Sequence, residues 1–236
     1  MIDTSKRTSE PEIMDDFLME GDDLRITLDE IARINQVLGG NRITIQGIKQ
    51  LLQSIPLDKH ISITDLGCGN GDMLRTIADY GRKTGRQLQL TGIDANRFTI
   101  AHAITLSGNY SEITYQVRDI FGEDFAKTSY DIVVCTLTLH HFGDAEIQRL
   151  LTLLKKNARI GIVINDLHRS PVAYYLFGLF SFIWGLGTMA KEDGRISILR
   201  GFKKKELVIL AKTLNFVNYT LRWKWAYRYQ WIISNL

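Results

Sequence analysis

The chain reads as an α/β fold, an open doubly wound sheet of mostly parallel strands. Three observations predict this. A β-rich run, Ile61 to Leu66, leads into a glycine-rich turn and then a helix pattern. Strand and helix patterns alternate from there to about residue 165, which demands parallel pairing with right-handed crossovers. The closing run, Val217 to Ile233, alternates apolar and polar residues with the period of a half-buried strand.

The elements follow in order. Residues 1–12 are polar, lack the apolar core of a secretion signal, and are expected to be flexible. Leu24, Leu28, Ile31, Ile34 and Val37-Leu38 mark one face of an amphipathic helix, which Gly39-Gly40 can end in the left-handed conformation. Thr44 can cap a second helix reaching Leu52, with Pro56 beyond it. Residues 13–56 are therefore expected to form a helical cap ahead of the sheet. Strands are predicted near 61–66, 88–93, 113–117, 131–136 and 159–165, and helices near 72–83, 97–107 and 144–156. The final alternating run is too long for one strand. A break near Trp225-Ala226-Tyr227 turns it into an antiparallel hairpin, although no Asn-Gly turn marks the place.

At 236 residues and 45% hydrophobic content the chain can bury a large core. A net charge of +3, with no basic stripe interleaved with aromatics, argues against nucleic acid as a partner. Cys68 and Cys135 have neither metal-ligand nor C-x-x-C spacing, which fits a reducing, cytoplasmic setting. There is no internal repeat and no low-complexity tract.

The glycine loop Asp65-Leu66-Gly67-Cys68-Gly69-Asn70-Gly71-Asp72 lets a ligand touch bare backbone and points to a nucleotide-like cofactor. Dinucleotide folds want a third glycine where this chain has Asp72, and an acid in the first helical turn repels a pyrophosphate. The loop resembles the first motif of class I S-adenosylmethionine (SAM)-dependent methyltransferases. SAM carries cationic groups and no phosphate. Asp94 after the second strand pattern, Asp119 after the third, and Tyr130 to Phe142 as a fourth strand and loop extend the resemblance to most of the chain.

The resemblance implies a Rossmann-like seven-stranded sheet with a C-terminal antiparallel hairpin, and residues 57–236 as a SAM-dependent methyltransferase domain that releases S-adenosylhomocysteine (SAH). It implies a cofactor site of Asp65, Gly67, Cys68, Gly69, Asn70, Gly71, Asp94, Ala95, Asp119, Ile120 and Thr136, with Asp94 on the ribose hydroxyls and Asp119 on the adenine amino group. Asn41 and Arg42, in the joint between the two N-terminal helices, are candidates for the cofactor carboxylate.

Pro171 to Ala190 is uncharged and near the ~20 residues that cross a bilayer. A span there would separate the last two strands from their sheet, so it reads instead as an apolar helical insertion after the fifth strand, residues 167–200, forming a lid over the substrate. Peripheral membrane contact through 171–190 and a homodimer face are further expectations for this segment.

Methyl transfer needs an acceptor positioned and, for a phenol or enol, a proton removed. His140, His141 and His168 follow strand ends. His168 is the expected base, directly before the apolar insertion, with His140 as the second candidate and Asp166 as an orienting acid. Metal is not expected: Asn165-Asp166 sits where catechol-type methyltransferases place part of a magnesium site, but Thr136-Leu137-Thr138 offers no second carboxylate. Leu139-His140-His141-Phe142 and the apolar segment resemble methyltransferases of quinone and phenolic-lipid biosynthesis. That implies an apolar small-molecule acceptor, phenolic, quinone-like or polyketide-like, methylated at a hydroxyl. Carbon methylation, an NAD-type oxidoreductase and a non-catalytic SAM-binding protein are the competing readings.

Overall fold

The computed structural model describes residues 2–236. Seven strands form one sheet in the order β3-β2-β1-β4-β5-β7-β6. The strands are β1 (Ile61–Leu66), β2 (Leu88–Asp94), β3 (Ile113–Val117), β4 (Tyr130–Thr136), β5 (Ala158–Leu167), β6 (Tyr219–Lys224) and β7 (Arg228–Ser234). The first five pair in parallel, and β7 runs antiparallel between β5 and β6. The hairpin breaks at Trp225-Ala226-Tyr227, as the alternation predicts.

Helices α1 (Asp22–Val37) and α2 (Gly40–Leu51) precede the sheet. They are followed by α3 (Asp72–Thr84), α4 (Arg97–Leu106), α5 (Glu123–Ala126), α6 (Asp144–Asn157), α7 (Pro171–Ile183), α8 (Thr188–Arg200) and α9 (Lys204–Thr213). One face of the sheet is covered by α2, α3 and α4, through Ile48, Leu51, Leu74, Ile77 and Ile100. The other is covered by α6 and α9, through Ile147, Leu150, Leu154, Leu207 and Ala211. The buried positions of α6 recur at i, i+3, i+4 and i+7, so one apolar stripe is enough to dock it.

Period two along β7 decides which residues reach which core. Tyr229, Trp231 and Ile233 face α6 and α9, while Ile232 faces α2. Gln230 shares the α2 side and donates from Nε2 to the Ile43 carbonyl at 2.6 Å. The same alternation puts Arg228 on that side.

Two expectations need correction. The N-terminal segment is not a loose tail. Arg169, fully buried, donates from Nε to the Thr4 carbonyl at 3.0 Å, and Arg7 donates from Nη2 to the His140 and Phe142 carbonyls at 2.8 Å each. Its polar residues find buried partners, which a reading of hydropathy alone does not detect. Helix α2 begins at Gly40, earlier than a Thr44 cap would allow. Gly39 adopts the left-handed conformation (φ 76°) and joins α1 directly to α2.

The apolar insertion is two helices. Helix α7 ends at Ile183, Gly185 turns left-handed (φ 63°), and α8 starts at Thr188. Among the described residues no helix is long and apolar enough to cross a membrane.

Candidate active site

A cavity of about 1120 Å³ opens along the carboxyl ends of β1, β2, β4 and β5. It exceeds the roughly 300–1,000 Å³ of a single small-ligand pocket and has room for two ligands. One arm is polar, lined by the loop after β1 and the ends of β2 and β3. The other is apolar, lined by Leu28 and Ile31 of α1, Phe177 and Phe180 of α7, and Ile198 of α8.

The polar arm starts at the glycine loop. Gly67, Gly69 and Gly71 all have positive φ (65°, 51° and 79°). A Cβ on Gly67 would meet Thr138 Cγ2 at 2.5 Å, whereas one on Gly69 would meet only Leu28 Cδ2 at 3.7 Å. Gly67 is therefore glycine because β4's loop packs on it, and Gly69 leaves its side open to the cavity. Gly71 is the one loop glycine of the expected cofactor set that does not line the cavity. It lies beneath Tyr115, whose hydroxyl would be 2.0 Å from an added Cβ.

The acids crowd this arm. Asp94 accepts from the Gly69 N–H at 3.2 Å and the Asn96 N–H at 3.0 Å. Asp65 is buried and its Oδ1 has no partner. Burial, then repulsion from Asp94 and Asp72, pushes its carboxyl well above the usual range. An orphaned acid oxygen among other acids is a site that a cationic group would complete. Asp119 lies two residues past the end of β3, exposed at the cavity edge, and its Oδ1 accepts from the Phe121 N–H at 2.8 Å. Cys68, Asn70, Ala95, Ile120 and Thr136 also line the cavity. Asn41 and Arg42 do not. Asn41 donates to Asp72 Oδ2 at 2.6 Å, and Arg42 is exposed. Asp72, buried at the start of α3, puts a carboxyl group where a pyrophosphate would sit on the helix N-terminus.

His140, buried in the single turn that follows β4, lines the cavity together with His141. Its Nδ1 is 2.7 Å from Asp166 Oδ1 and its Nε2 is 3.5 Å from Glu12 Oε1. Burial opposes the charge on the ring, but Asp166 and Glu12 prevail and raise its pKa to about 9. Glu12 comes from the N-terminal segment and also accepts from Ser197 Oγ at 2.7 Å. Beside it, Asp15 receives His141 Nδ1 at 2.7 Å and Arg200 Nη1 at 2.5 Å. Burial opposes this charge too, and the His141 and Arg200 hydrogen bonds overcome it, so the Asp15 carboxyl sits well below its usual range. Glu12, His140 and His141 bring donor atoms within 4.8 Å of one another, a set able to hold a metal ion. Arg200 Nη1, 3.8 Å from Glu12 Oε1, already supplies positive charge there.

His168, the expected base, does not line this cavity. Pairing of β5 continues through Leu167, and the His168 N–H still donates to the Tyr227 carbonyl at 2.8 Å. Its ring packs edge-on to Tyr229 at 5.1 Å and accepts from Trp223 Nε1 at 3.2 Å, outside the cavity lining. Asp166 therefore orients His140. Glu12 and Arg228, which also line the cavity, carry no sequence signal, because neither lies near a motif.

Residues 57–171 match the family model described as a methyltransferase domain. No curated protein matches the chain at a significant level. Among solved structures, the plantazolicin methyltransferase BpumL in complex with SAH is 17% identical, covers 89% of each chain and superposes with a TM-score of 0.66. The CurJ carbon methyltransferase is 14% identical with a TM-score of 0.60, over 81% of this chain and 53% of that one. Magnesium protoporphyrin IX methyltransferase (ChlM) from Synechocystis PCC 6803, with bound SAH, is 15% identical with a TM-score of 0.55, over 84% of each chain. These likenesses establish the fold.

Proposed function

We infer that this chain, of which residues 57–171 match a methyltransferase domain model, is a SAM-dependent methyltransferase acting on an apolar small molecule. The acceptor we propose is phenolic, quinone-like or polyketide-like, with a hydroxyl as the methylated group. The observation that carries this reading is the lining of this cavity. Its acid-lined part suits a cationic nucleoside, its apolar part suits the acceptor, and His140 is among the residues that line it.

SAM, when bound, supplies a methyl group already activated on a cationic sulfur. In this reading Asp94 holds the ribose hydroxyls and Asp119 the adenine amino group. Gly67 and Gly69 present bare backbone, and the orphaned Asp65 Oδ1 draws the cofactor's positive end. The acid cluster that disfavours pyrophosphate sets this site against NAD.

The chain's own chemistry is positioning and proton removal. Ala173, Phe177 and Phe180 wall the acceptor on one side, and Trp225 and Tyr227 contribute from the hairpin turn. His140 Nε2 is the proton-accepting atom. Asp166 on Nδ1 holds the ring in place and stabilises its charged form. Because Asp166 and Glu12 raise its pKa, the ring is largely charged at neutral pH, and proton removal quickens as pH rises. Carbon methylation of an enolised acceptor is the second reading, since the same base serves it.

The outer face of α7 leaves Phe182 79% and Ile183 68% exposed, while its inner face lines the cavity. A lipid surface touching this helix would deliver a tailed acceptor to the apolar arm. The first experiment is calorimetry with SAH and NAD side by side. Micromolar SAH binding with no NAD binding supports the reading, and the reverse sinks it. Isotope-labelled SAM with alkylated resorcinols and pyrones then separates oxygen from carbon methylation by the NMR shift of the new methyl group.

A further inference from the structure

One buried cation in the cavity has no role in the chemistry above. Arg228 opens β7 and is only 3% exposed, yet it lines the cavity. Its Nε and Nη1 are buried and have no hydrogen-bond partner. Burial lowers its pKa to about 10, with Asp166 acting against the fall, so the guanidinium is still charged at neutral pH. Asp166 is not its partner. Asp166 Oδ1 is engaged by His140 Nδ1 and the Leu167 N–H, each at 2.7 Å, and its Oδ2 by the His140 N–H at 3.2 Å.

The backbone explains why this residue points inward. Period two along β7 sends Arg228 to the α2 side, beneath the tight α1–α2 joint. A Cβ added at Gly40 would lie 3.1 Å from Arg228 Cζ. The side chain is thus held under the joint, near the His140 end of the cavity and away from bulk water. Charged groups kept in such places are paired or bind something. A planar guanidinium with free donors fits an oxyanion, which it can grip with two parallel hydrogen bonds.

We propose that Arg228 is the anion site of the acceptor pocket, and that it takes the oxyanion head, a carboxylate or an ionised 1,3-dicarbonyl enol, of an otherwise apolar acceptor. This rests on the methyltransferase reading and narrows its substrate class to amphiphilic acids. Such an acceptor places its charged head between Arg228 and His140 and its tail along α7.

A carboxylate could also come from the amino-acid end of the cofactor, and the test separates the two sources. The full chain, saturated with SAH at neutral pH, is titrated calorimetrically with decanoate and with decanamide. Wild type is expected to bind decanoate about ten- to a hundredfold more tightly than the amide. Arg228→Met is expected to erase that preference while leaving SAH affinity unchanged, and Arg228→Lys to retain part of it. Thermal melts check folding. A buried charge exchanged for an apolar chain of similar size is well tolerated, and the lysine variant carries the test if the methionine variant does not fold.

Three results would overturn the proposal: no preference in wild type, binding of neither probe, or a preference that survives in Arg228→Met. It is also overturned if Arg228→Met weakens SAH tenfold but leaves 5′-methylthioadenosine, which lacks the carboxylate, unaffected. Arg228 then belongs to the cofactor. Failure of wild type to bind SAH would instead remove the methyltransferase reading, and the decanoate comparison without SAH still decides the anion site.

Discussion

Nδ1 of His140 lies 2.7 Å from Oδ1 of Asp166, tying the turn after β4, which lines the cavity, to the buried end of β5. The pair makes the ring's titration measurable without any substrate. The His140 pKa is raised to about 9 from an ordinary 6.5. Its stabilising contribution is therefore complete below about pH 6.5 and is lost as pH climbs through 9, a change on the order of 3 kcal/mol. NMR titration of the imidazole resonances checks the value, and Asp166→Asn should bring it down by a unit or more. A wild-type ring that titrates near 6.5 would contradict this geometry.

Glu12 tunes the same ring from the N-terminal segment, its Oε1 3.5 Å from Nε2. Glu12→Gln removes a negative neighbour, so the His140 pKa should fall by about one unit and the pH–rate profile should shift to lower pH in step. A profile that stays in place while activity drops would make Glu12 merely structural.

Asp94 and Asp65 should behave differently when altered. Asp94→Ala should weaken SAH by about ten- to a hundredfold, the cost of a lost charge-assisted hydrogen bond. Asp65→Asn should raise the apo protein's melting temperature, because it relieves a buried acid repelled by Asp94 and Asp72. The same change should weaken SAH. Scanning calorimetry with and without SAH reads both effects, and a destabilised apo Asp65→Asn protein would contradict the account.

The loop glycines separate packing from binding. Gly67→Ala forces a Cβ to 2.5 Å from Thr138 Cγ2 at φ 65°, and should cost about 3 kcal/mol or more of stability. Gly69→Ala meets only Leu28 at 3.7 Å, so it should cost about 1–2 kcal/mol while obstructing the cofactor. Urea melts and SAH titrations of the two variants test the contrast. Equal losses of stability would refute it.

The exposed stripe of α7 should bind lipid. Co-sedimentation with phosphatidylcholine–phosphatidylglycerol vesicles is expected for wild type and should fall at least about fivefold for a Phe182→Glu, Ile183→Glu double variant, given the cost of a charge at an apolar interface. Unchanged sedimentation of the variant would exclude α7 as the contact. Concentration-dependent self-association lost in the same variant would make this face a dimer contact.

The sheet was legible because its signals are local. Glycines that need left-handed backbone, acids at strand ends and period-two alternation each act within a few residues, and they mark the strands and the hairpin break at Trp225-Ala226-Tyr227, whereas the strand order came from the fold. His168 misled for an equally physical reason. Its position after the last alternating residue looked like a loop at the sheet edge, but the hairpin extends the pairing of β5 and carries the ring away from the cavity. Glu12 had no signal, since nothing in a polar N-terminal stretch reports that Arg7 and Arg169 will strap it across the site.

By itself the sequence determined the α/β class, the glycine loop, and an acid-lined groove suited to a cationic cofactor rather than a pyrophosphate. Only the tertiary structure decided that His140 and His141 line the cavity while His168 does not, which carboxylates raise the His140 pKa, and that Arg228 is buried there with unpartnered donors. The division follows from range. Backbone conformation and periodic burial are fixed by neighbouring residues, whereas the charge on a buried side chain depends on groups brought to it from distant parts of the chain.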